Sequence, residues 1–332
     1  MPTTPAFTPE TGVELSVVIP LYNEEDNILE LYRRLTSAMD LLGLAYELVL
    51  VNDGSSDRTS ALLRQVQEED FRVVVLSLSR NFGHQAAITA GLDCARGEAV
   101  VVMDGDLQDP PEVLGEFVET WQQGYDVVYA IRTKRKENVV KRAAYALFYR
   151  ILRASSDLEI PLDSGDFCLM DRKVVEALKR LPEKQRFVRG LRTYVGFKQT
   201  GLRYERSARH AGTPKYTLAA LSRLAMDGFF NFSCLPLQVV RWMAAICVFL
   251  FAILLAWQGV ESCLRGTLPA GWSLTCLVVL LVGSGQLVGL AIVGEYVRRI
   301  FQELKGRPSY FVDERATEGI LRRSRDQQKQ AA

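Results

Sequence analysis

The apolar run Ala99-Val-Val-Val-Met103 stops abruptly at Asp104-Gly-Asp106-Leu-Gln108. A short β-branched run bounded by turn residues reads as a buried strand. Carboxylates at the C-terminal tip of such a strand stand where open α/β sheets bind their ligands. Oxygen donors suit Mg²⁺ or Mn²⁺, and Mg²⁺ is usually held by one or two carboxylates together with substrate phosphates. An isolated Asp-x-Asp is more often an ordinary acidic turn. Three companion segments argue for more here.

Leu15-Ser-Val-Val-Ile-Pro-Leu-Tyr-Asn-Glu-Glu25 is an apolar run followed by a polar helix start, and Tyr46-Glu-Leu-Val-Leu-Val-Asn-Asp-Gly-Ser-Ser-Asp57 repeats the pattern. Val73-Val-Val-Leu-Ser-Leu78 leads through Asn81-Phe-Gly-His84 into a helix-like stretch, Gln85 to Ala95. Strands alternating with helices predict an α/β fold with a doubly wound, mostly parallel sheet. Right-handed crossovers bring the polar strand ends to one edge. Asn23, Glu24, Asp53 and Asp104 to Gln108 should therefore converge on one cleft. Asp57, directly before Arg58-Thr-Ser-Ala-Leu-Leu-Arg64, is expected to cap the helix after the second strand, which leaves Asp53 for another role.

Pro20-Leu-Tyr22-Asn-Glu24, Asn52-Asp-Gly-Ser-Ser-Asp57 and Asp104-Gly-Asp-Leu-Gln-Asp-Pro110 resemble the inverting family 2 glycosyltransferases of the GT-A (Rossmann-like) fold. Within that family the chain is most similar to the polyprenyl-phosphate glycosyltransferases, a group that includes bactoprenol glucosyltransferases, the undecaprenyl-phosphate aminoarabinose transferase and dolichol-phosphate mannose synthase. The similarity runs from about residue 14 to 310. It implies a UDP-sugar donor, with UDP-glucose the leading candidate, and a polyprenyl phosphate acceptor (undecaprenyl or dolichyl). It implies a divalent cofactor, Mg²⁺ or Mn²⁺, on Asp104, Asp106 and Gln108, and a nucleotide-sugar pocket built from Pro20, Tyr22, Glu24, Asp53, Asp104 and Lys215. Leu162-Asp163-Ser-Gly-Asp166-Phe-Cys-Leu-Met170 resembles the segment that carries the catalytic base, with Asp163 the first candidate and Asp166 the second. A lipid phosphate has its second pKa near 6, so it arrives largely ionised, and this carboxylate could as well position the acceptor. Arg186, Arg189, Arg209 and Lys215 are the candidate cations for the phosphates. Arg206-Ser-Ala-Arg-His-Ala-Gly-Thr-Pro-Lys-Tyr216 resembles a flexible phosphate-covering loop, although Pro214 stands just before Lys215 where relatives often carry a hydroxyl residue.

Forty basic and 39 acidic residues nearly cancel. With no zinc-finger, RNP or basic-region pattern, the sequence argues against nucleic acid as a partner. The six cysteines are scattered without a Cys-x-x-Cys pair, which disfavours a zinc site or disulfide framework. Residues 1–12 read as a disordered leader and not as a signal peptide. The glycosyltransferase domain is expected over 13–216.

The C-terminal third is far more apolar. Trp242 to Trp257 and Trp272 to Val293 carry no charge. Spans of about 20 apolar residues cross a bilayer core, so transmembrane helices are expected at 236–258 and 272–294. The basic residues Arg298, Arg299, Lys305 and Arg307 beyond the second span place both termini, a cytoplasmic tail at 295–332 and the catalytic domain inside the plasma (inner) membrane. Amphipathic stretches at 138–154 and 217–235 suit the bilayer interface. Gly285-Gln-Leu-Val-Gly289 permits close helix contact and suggests a homo-oligomer. A downstream flippase or lipid-linked-sugar transferase is an implied partner. The alternative is a processive polysaccharide synthase. Gln238-Val-Val-Arg-Trp242 matches the spacing of a synthase acceptor motif, but two spans are too few for a channel.

Overall fold

The computed structural model describes residues 12–132, 164–183, 186–205, 235–265 and 272–313. They fall into two compact units, residues 235–306 forming the second and the rest the first.

The first unit is built on a seven-stranded sheet. Its strands are β1 (Leu15–Leu21), β2 (Tyr46–Asn52), β3 (Val73–Ser77), β4 (Ala99–Val102), β5 (Val127–Arg132), β6 (Ser164–Asp171) and β7 (Gln199–Tyr204). The order is β3-β2-β1-β4-β6-β5-β7. Neighbours are parallel except β6, which runs antiparallel to both β4 and β5. The expected strands are all present, and the sheet is mostly parallel as anticipated. The intervening helices are α1 (Ile28–Leu42), α2 (Thr59–Glu69), α3 (His84–Cys94), α4 (Leu114–Gln122), α5 (Arg172–Arg180) and α6 (Val188–Tyr194).

Strand periodicity divides the core between the two faces of the sheet. Leu15, Val17, Ile19 and Leu21 of β1 pack with Ile28, Leu31 and Leu35 of α1 and with Phe117 of α4. Val18 and the alternate positions of β2 and β4 face Ala87 and Ile88 of α3 and Val174 and Leu178 of α5. Both faces are apolar because helices cover both, which is why β2 and β4 read as nearly continuous hydrophobic runs. Pro20 sits inside β1, a position proline normally avoids in a central strand. It is tolerated because β4 pairs only as far as Val18, so no ladder hydrogen bond is lost on that side.

The second unit contains α7 (Leu235–Arg265) and α8 (Trp272–Leu304), of 31 and 33 residues. The two expected spans fall within them, and the pentad Gln238 to Trp242 occupies the first turns of α7. Among the described residues, no helix is long and apolar enough to cross a membrane. Large apolar side chains are nonetheless exposed on both, including Trp242, Phe249 and Trp257 on α7 and Leu287 and Leu290 on α8. A Cβ at Gly289 would stand 3.3 Å from Val240 and one at Gly285 3.9 Å from Met243, both on α7. The glycine pair thus lets α8 approach α7 closely within one chain.

Helix α8 runs past the expected limit at 294, and the chain then rejoins the first unit. Ser79 donates to the Phe311 carbonyl (2.9 Å) and Asp313 to the Ser77 carbonyl (2.8 Å). Val312 bridges Leu78 antiparallel, covering the β3 edge. The leader, the amphipathic stretches 138–154 and 217–232, and the tail beyond 313 lie outside the described residues.

Candidate active site

The strand register brings two acidic motifs together. Val102 of β4 pairs with Cys168 of β6 in an antiparallel ladder. Continued by two residues on each strand, that register sets Asp104 opposite Asp166. The turn after β4 is tightly packed. A Cβ at Gly105 would lie 2.3 Å from the Leu21 side chain, so only glycine fits without displacing it. Leu107 adopts a left-handed φ of 59° and is buried, which pins the loop. The Gln108 N–H donates to Asp106 Oδ1 at 3.2 Å.

His84, the first residue of α3, stands between the two carboxylates. Its Nε2 is 3.6 Å from Asp104 Oδ1 and 3.4 Å from Asp166 Oδ2. Asp166 is gripped further: Gln85 Nε2 donates to Oδ2 at 3.0 Å, and Arg189 of α6 reaches Oδ1 at 3.3 Å. Gln85 also accepts the Val188 N–H at 2.9 Å, tying α3 to the start of α6. Burial, reinforced by Asp109, Asp166 and Asp106 and opposed by His84, pushes the Asp104 carboxyl up to about 6. Burial pulls His84 down, but the Asp166 hydrogen bond and both carboxylate charges outweigh it and raise the imidazole to about 9. Burial would raise Asp166, yet the Arg189 charge and the His84 hydrogen bond hold it well below the usual carboxylate range.

The ends of β1, β2 and β3 form the neighbouring wall. Asp53 is buried and accepts the Phe82 N–H on Oδ1 (2.7 Å) and the Gly83 N–H on Oδ2 (2.9 Å). It fastens the β3–α3 loop, and both carboxylate oxygens are already engaged by backbone. Gly54 makes that approach possible: its φ is 67°, and a Cβ there would meet the Arg80 backbone at 2.4 Å. Asn23, at a left-handed φ of 52°, accepts the Ser56 N–H at 2.9 Å, lacing the loops after β1 and β2. Glu24 accepts from Asn27 Nδ2 at 2.6 Å, and its own N–H donates to Thr59 Oγ1 at 2.9 Å. Asp57, one residue before the Arg58 N-cap, accepts the Thr59 N–H at 3.0 Å and so satisfies a first-turn donor of α2. Tyr22 is exposed at this wall, whereas Pro20 is buried in β1 and shapes the wall only through the strand.

Several predicted residues take other positions. Asp163, Arg209 and Lys215 lie outside the described residues. Arg186 gives its guanidinium to backbone carbonyls of Glu183 (3.3 Å) and Leu181 (3.0 Å), which stabilises the α5–α6 connection. Arg189 is paired with Asp166, so its charge is partly spent before any phosphate arrives. Sequence reasoning did not single out His84 and Gln85, although Asn81-Phe-Gly-His-Gln85 follows a strand end as the other motifs do. It also missed Arg192, fully buried with its guanidinium 5.2 Å over the Tyr129 ring, and Asp109, fully buried and bonded to the Tyr204 hydroxyl. A second arginine on a short helix and a third aspartate in an acidic turn carry no pattern that marks them.

Among the described residues, no group of three or more His, Cys, Asp or Glu side chains could hold a metal ion. The donor set still fits a divalent cation that shares its shell with a substrate. Asp104 is held near 6 by burial and by carboxylates around it, an excess of negative charge that a cation would relieve. Two carboxylates are what Mg²⁺ sites commonly provide when phosphate oxygens supply the rest.

The model of the glycosyl transferase family 2 matches residues 16–179, the stretch holding both acidic motifs. The glycosyltransferase YkcC of Bacillus subtilis (strain 168) is 46% identical over 306 residues, covering 90% of this chain and 93% of that protein. The SfII prophage-derived bactoprenol glucosyl transferase of Shigella flexneri is 36% identical over 301 residues, covering 90% of this chain and 97% of that protein. Among solved structures, glucosyl-3-phosphoglycerate synthase from Mycobacterium tuberculosis, in complex with Mn²⁺, uridine diphosphate and phosphoglyceric acid, aligns at 20% identity with a TM-score of 0.47, over 66% of this chain and 78% of that one. With the strand-end carboxylates on a mostly parallel sheet, these full-length similarities make the chain a member of the family 2 glycosyltransferases.

Proposed function

We propose that this enzyme transfers a sugar from a UDP-sugar, UDP-glucose being the favoured donor, to a polyprenyl phosphate with inversion at the anomeric carbon. The observation that carries the reading is the similarity to bactoprenol glucosyl transferases over 97% of the relative's length. It therefore includes the second unit and not the sugar-transfer motifs alone. The exposed aromatic and aliphatic side chains of α7 and α8 support burial of these helices in the apolar phase of a membrane, beside the lipid acceptor's own tail. On the positive-inside argument, the catalytic unit and both termini face the cytoplasm.

The chemistry is a single displacement. A phosphate oxygen of the acceptor bonds to the anomeric carbon, the bond to the UDP oxygen breaks, and UDP leaves with that electron pair. A divalent ion on Asp104 and Asp106, with Gln108 nearby, would act as a Lewis acid for the charge gathering on the diphosphate. Asp53, Asn23 and Gly54 shape the wall against which the nucleotide is read. Asp166 is held ionised by Arg189 and His84, and the lipid phosphate is itself largely ionised at neutral pH. Little proton transfer is needed, so Asp166 serves to orient the acceptor side and Arg189 to counter the incoming phosphate charge.

The test is purified protein in polyprenyl-phosphate vesicles with radiolabelled UDP-glucose. A single-sugar lipid in the organic phase is expected, and its loss in EDTA with recovery on added Mn²⁺. A long water-soluble polymer would instead support the synthase reading, and no labelled product of either kind would refute both.

A further inference from the structure

We propose that His84 is a positioning residue whose Nε2 links the donor-side carboxylate Asp104 to the acceptor-side carboxylate Asp166 and fixes their separation before substrates bind. This rests on the transferase reading above and adds a residue to it.

Three observations support the assignment. First, the imidazole is shared. Its Nε2 lies 3.6 Å from one carboxylate and 3.4 Å from the other. Both distances exceed an optimal N–H···O bond, as expected for one nitrogen divided between two anions. Second, His84 is held from outside the acidic motifs. It opens α3, the preceding Gly83 N–H is fixed on Asp53 at 2.9 Å, and α3 packs Ala87 and Ile88 into the core. The link therefore fastens the Asp104 turn and the start of β6 to a third strand end. Third, Gln85 and Arg189 also bind Asp166, so the carboxylate that His84 joins to Asp104 is itself held by neighbours on α3 and α6.

The geometry matters because in-line displacement is sensitive to placement. The attacking and leaving oxygens sit on the two sides of the anomeric carbon, and a misplacement of about 1 Å can cost about 10²-fold in rate. A positioning role predicts a loss in turnover without an equal loss in donor binding. A merely structural role would lower both, together with the melting temperature.

The experiment compares His84→Ala, His84→Gln and Asp166→Asn in the full chain, reading kcat, the affinity for UDP with Mn²⁺ by calorimetry, and the melting temperature. His84→Ala should lose about 100-fold in kcat while binding UDP and Mn²⁺ within about threefold of wild type. His84→Gln, whose amide N–H can reach the same region, should recover most of the loss. In the Asp166→Asn background, His84→Ala should cost less than in wild type, because the link has already lost one end. Near-normal turnover in His84→Ala, equal losses in Ala and Gln variants, or additive effects with Asp166→Asn would overturn the proposal. If His84→Ala does not fold, His84→Asn takes its place, since its shorter amide cannot span the same gap. Wild type is assayed first. If it makes no lipid-linked sugar, the acceptor assignment fails by itself, and His84 is then judged from hydrolysis of the UDP-sugar at the same site.

Discussion

Asp166→Asn isolates the charge at the centre of the site. The carboxylate has Arg189 at 3.3 Å, His84 at 3.4 Å and Gln85 at 3.0 Å, so the amide keeps the shape while removing the anion that three donors surround. A unit pair at 3.3 Å attracts by about 5 kcal/mol at an effective dielectric constant of about 20. Breaking a buried pair by removing one partner costs about 3–5 kcal/mol. Arg189 keeps 22% of its side chain exposed and can turn toward water, which brings the expected loss to about 2 kcal/mol. For a domain of about 200 residues that is a fall of about 4–8 °C in melting temperature. The assay is thermal unfolding of wild type, Asp166→Asn, Arg189→Gln and the double variant at neutral pH. The two single effects should couple by at least about 1 kcal/mol. The pH dependence follows from the sign of the shift. Asp166 in the folded protein lies below its unfolded value of about 3.9, so the unfolded state binds more protons across that interval. Its stabilisation is present above about pH 4 and is lost as the pH falls further. A melting temperature unchanged by Asp166→Asn, or strictly additive single effects, would refute the account of this charge cluster.

Other outcomes follow from the same geometry. Asp106→Asn should nearly abolish transfer while leaving the melting temperature within about 2 °C of wild type, and calorimetry should show weakened Mn²⁺-dependent UDP binding; full activity in EDTA would remove the metal assignment. Phe311 packs on Phe82 with ring centroids 6.1 Å apart, and Tyr310 donates to Asp93 at 2.8 Å. Phe311→Ala should therefore loosen the loop that Asp53 fastens and weaken UDP binding by about 0.5–1.5 kcal/mol, or about 2–13-fold; unchanged affinity would disconnect the C-terminal clasp from the nucleotide wall. For topology, Cys263 is exposed while Cys168 is buried and burial pushes the Cys94 thiol up to about 11. An impermeant thiol reagent added outside cells should label Cys263 and spare a cysteine placed at Leu41, which is 88% exposed. The reverse pattern would invert the orientation.

The sequence by itself determined the sheet and its loaded edge. Nearly continuous apolar runs ending in Asn23, Asp53 and Asp104 point to parallel strands whose C-terminal ends share one side, because crossovers are overwhelmingly right-handed. Asp57 as a partner for the start of α2 was equally legible, since such bonds are a local matter of one side chain and the next turn. Partnership across the fold was not. That Asp104 faces Asp166 depends on the antiparallel register of β6 against β4, and nothing in either motif encodes that pairing. His84 and Gln85 became part of the site only when α3 was laid against α6. Nor did either motif reveal the backbone groups that bind Arg186 and Asp53. The glycine pair in α8 carried a packing signal but not the identity of the helix it packs on. Local sequence specifies elements and their ends; which charges neutralise one another is fixed by strand register and helix packing, and so is decided by the tertiary structure.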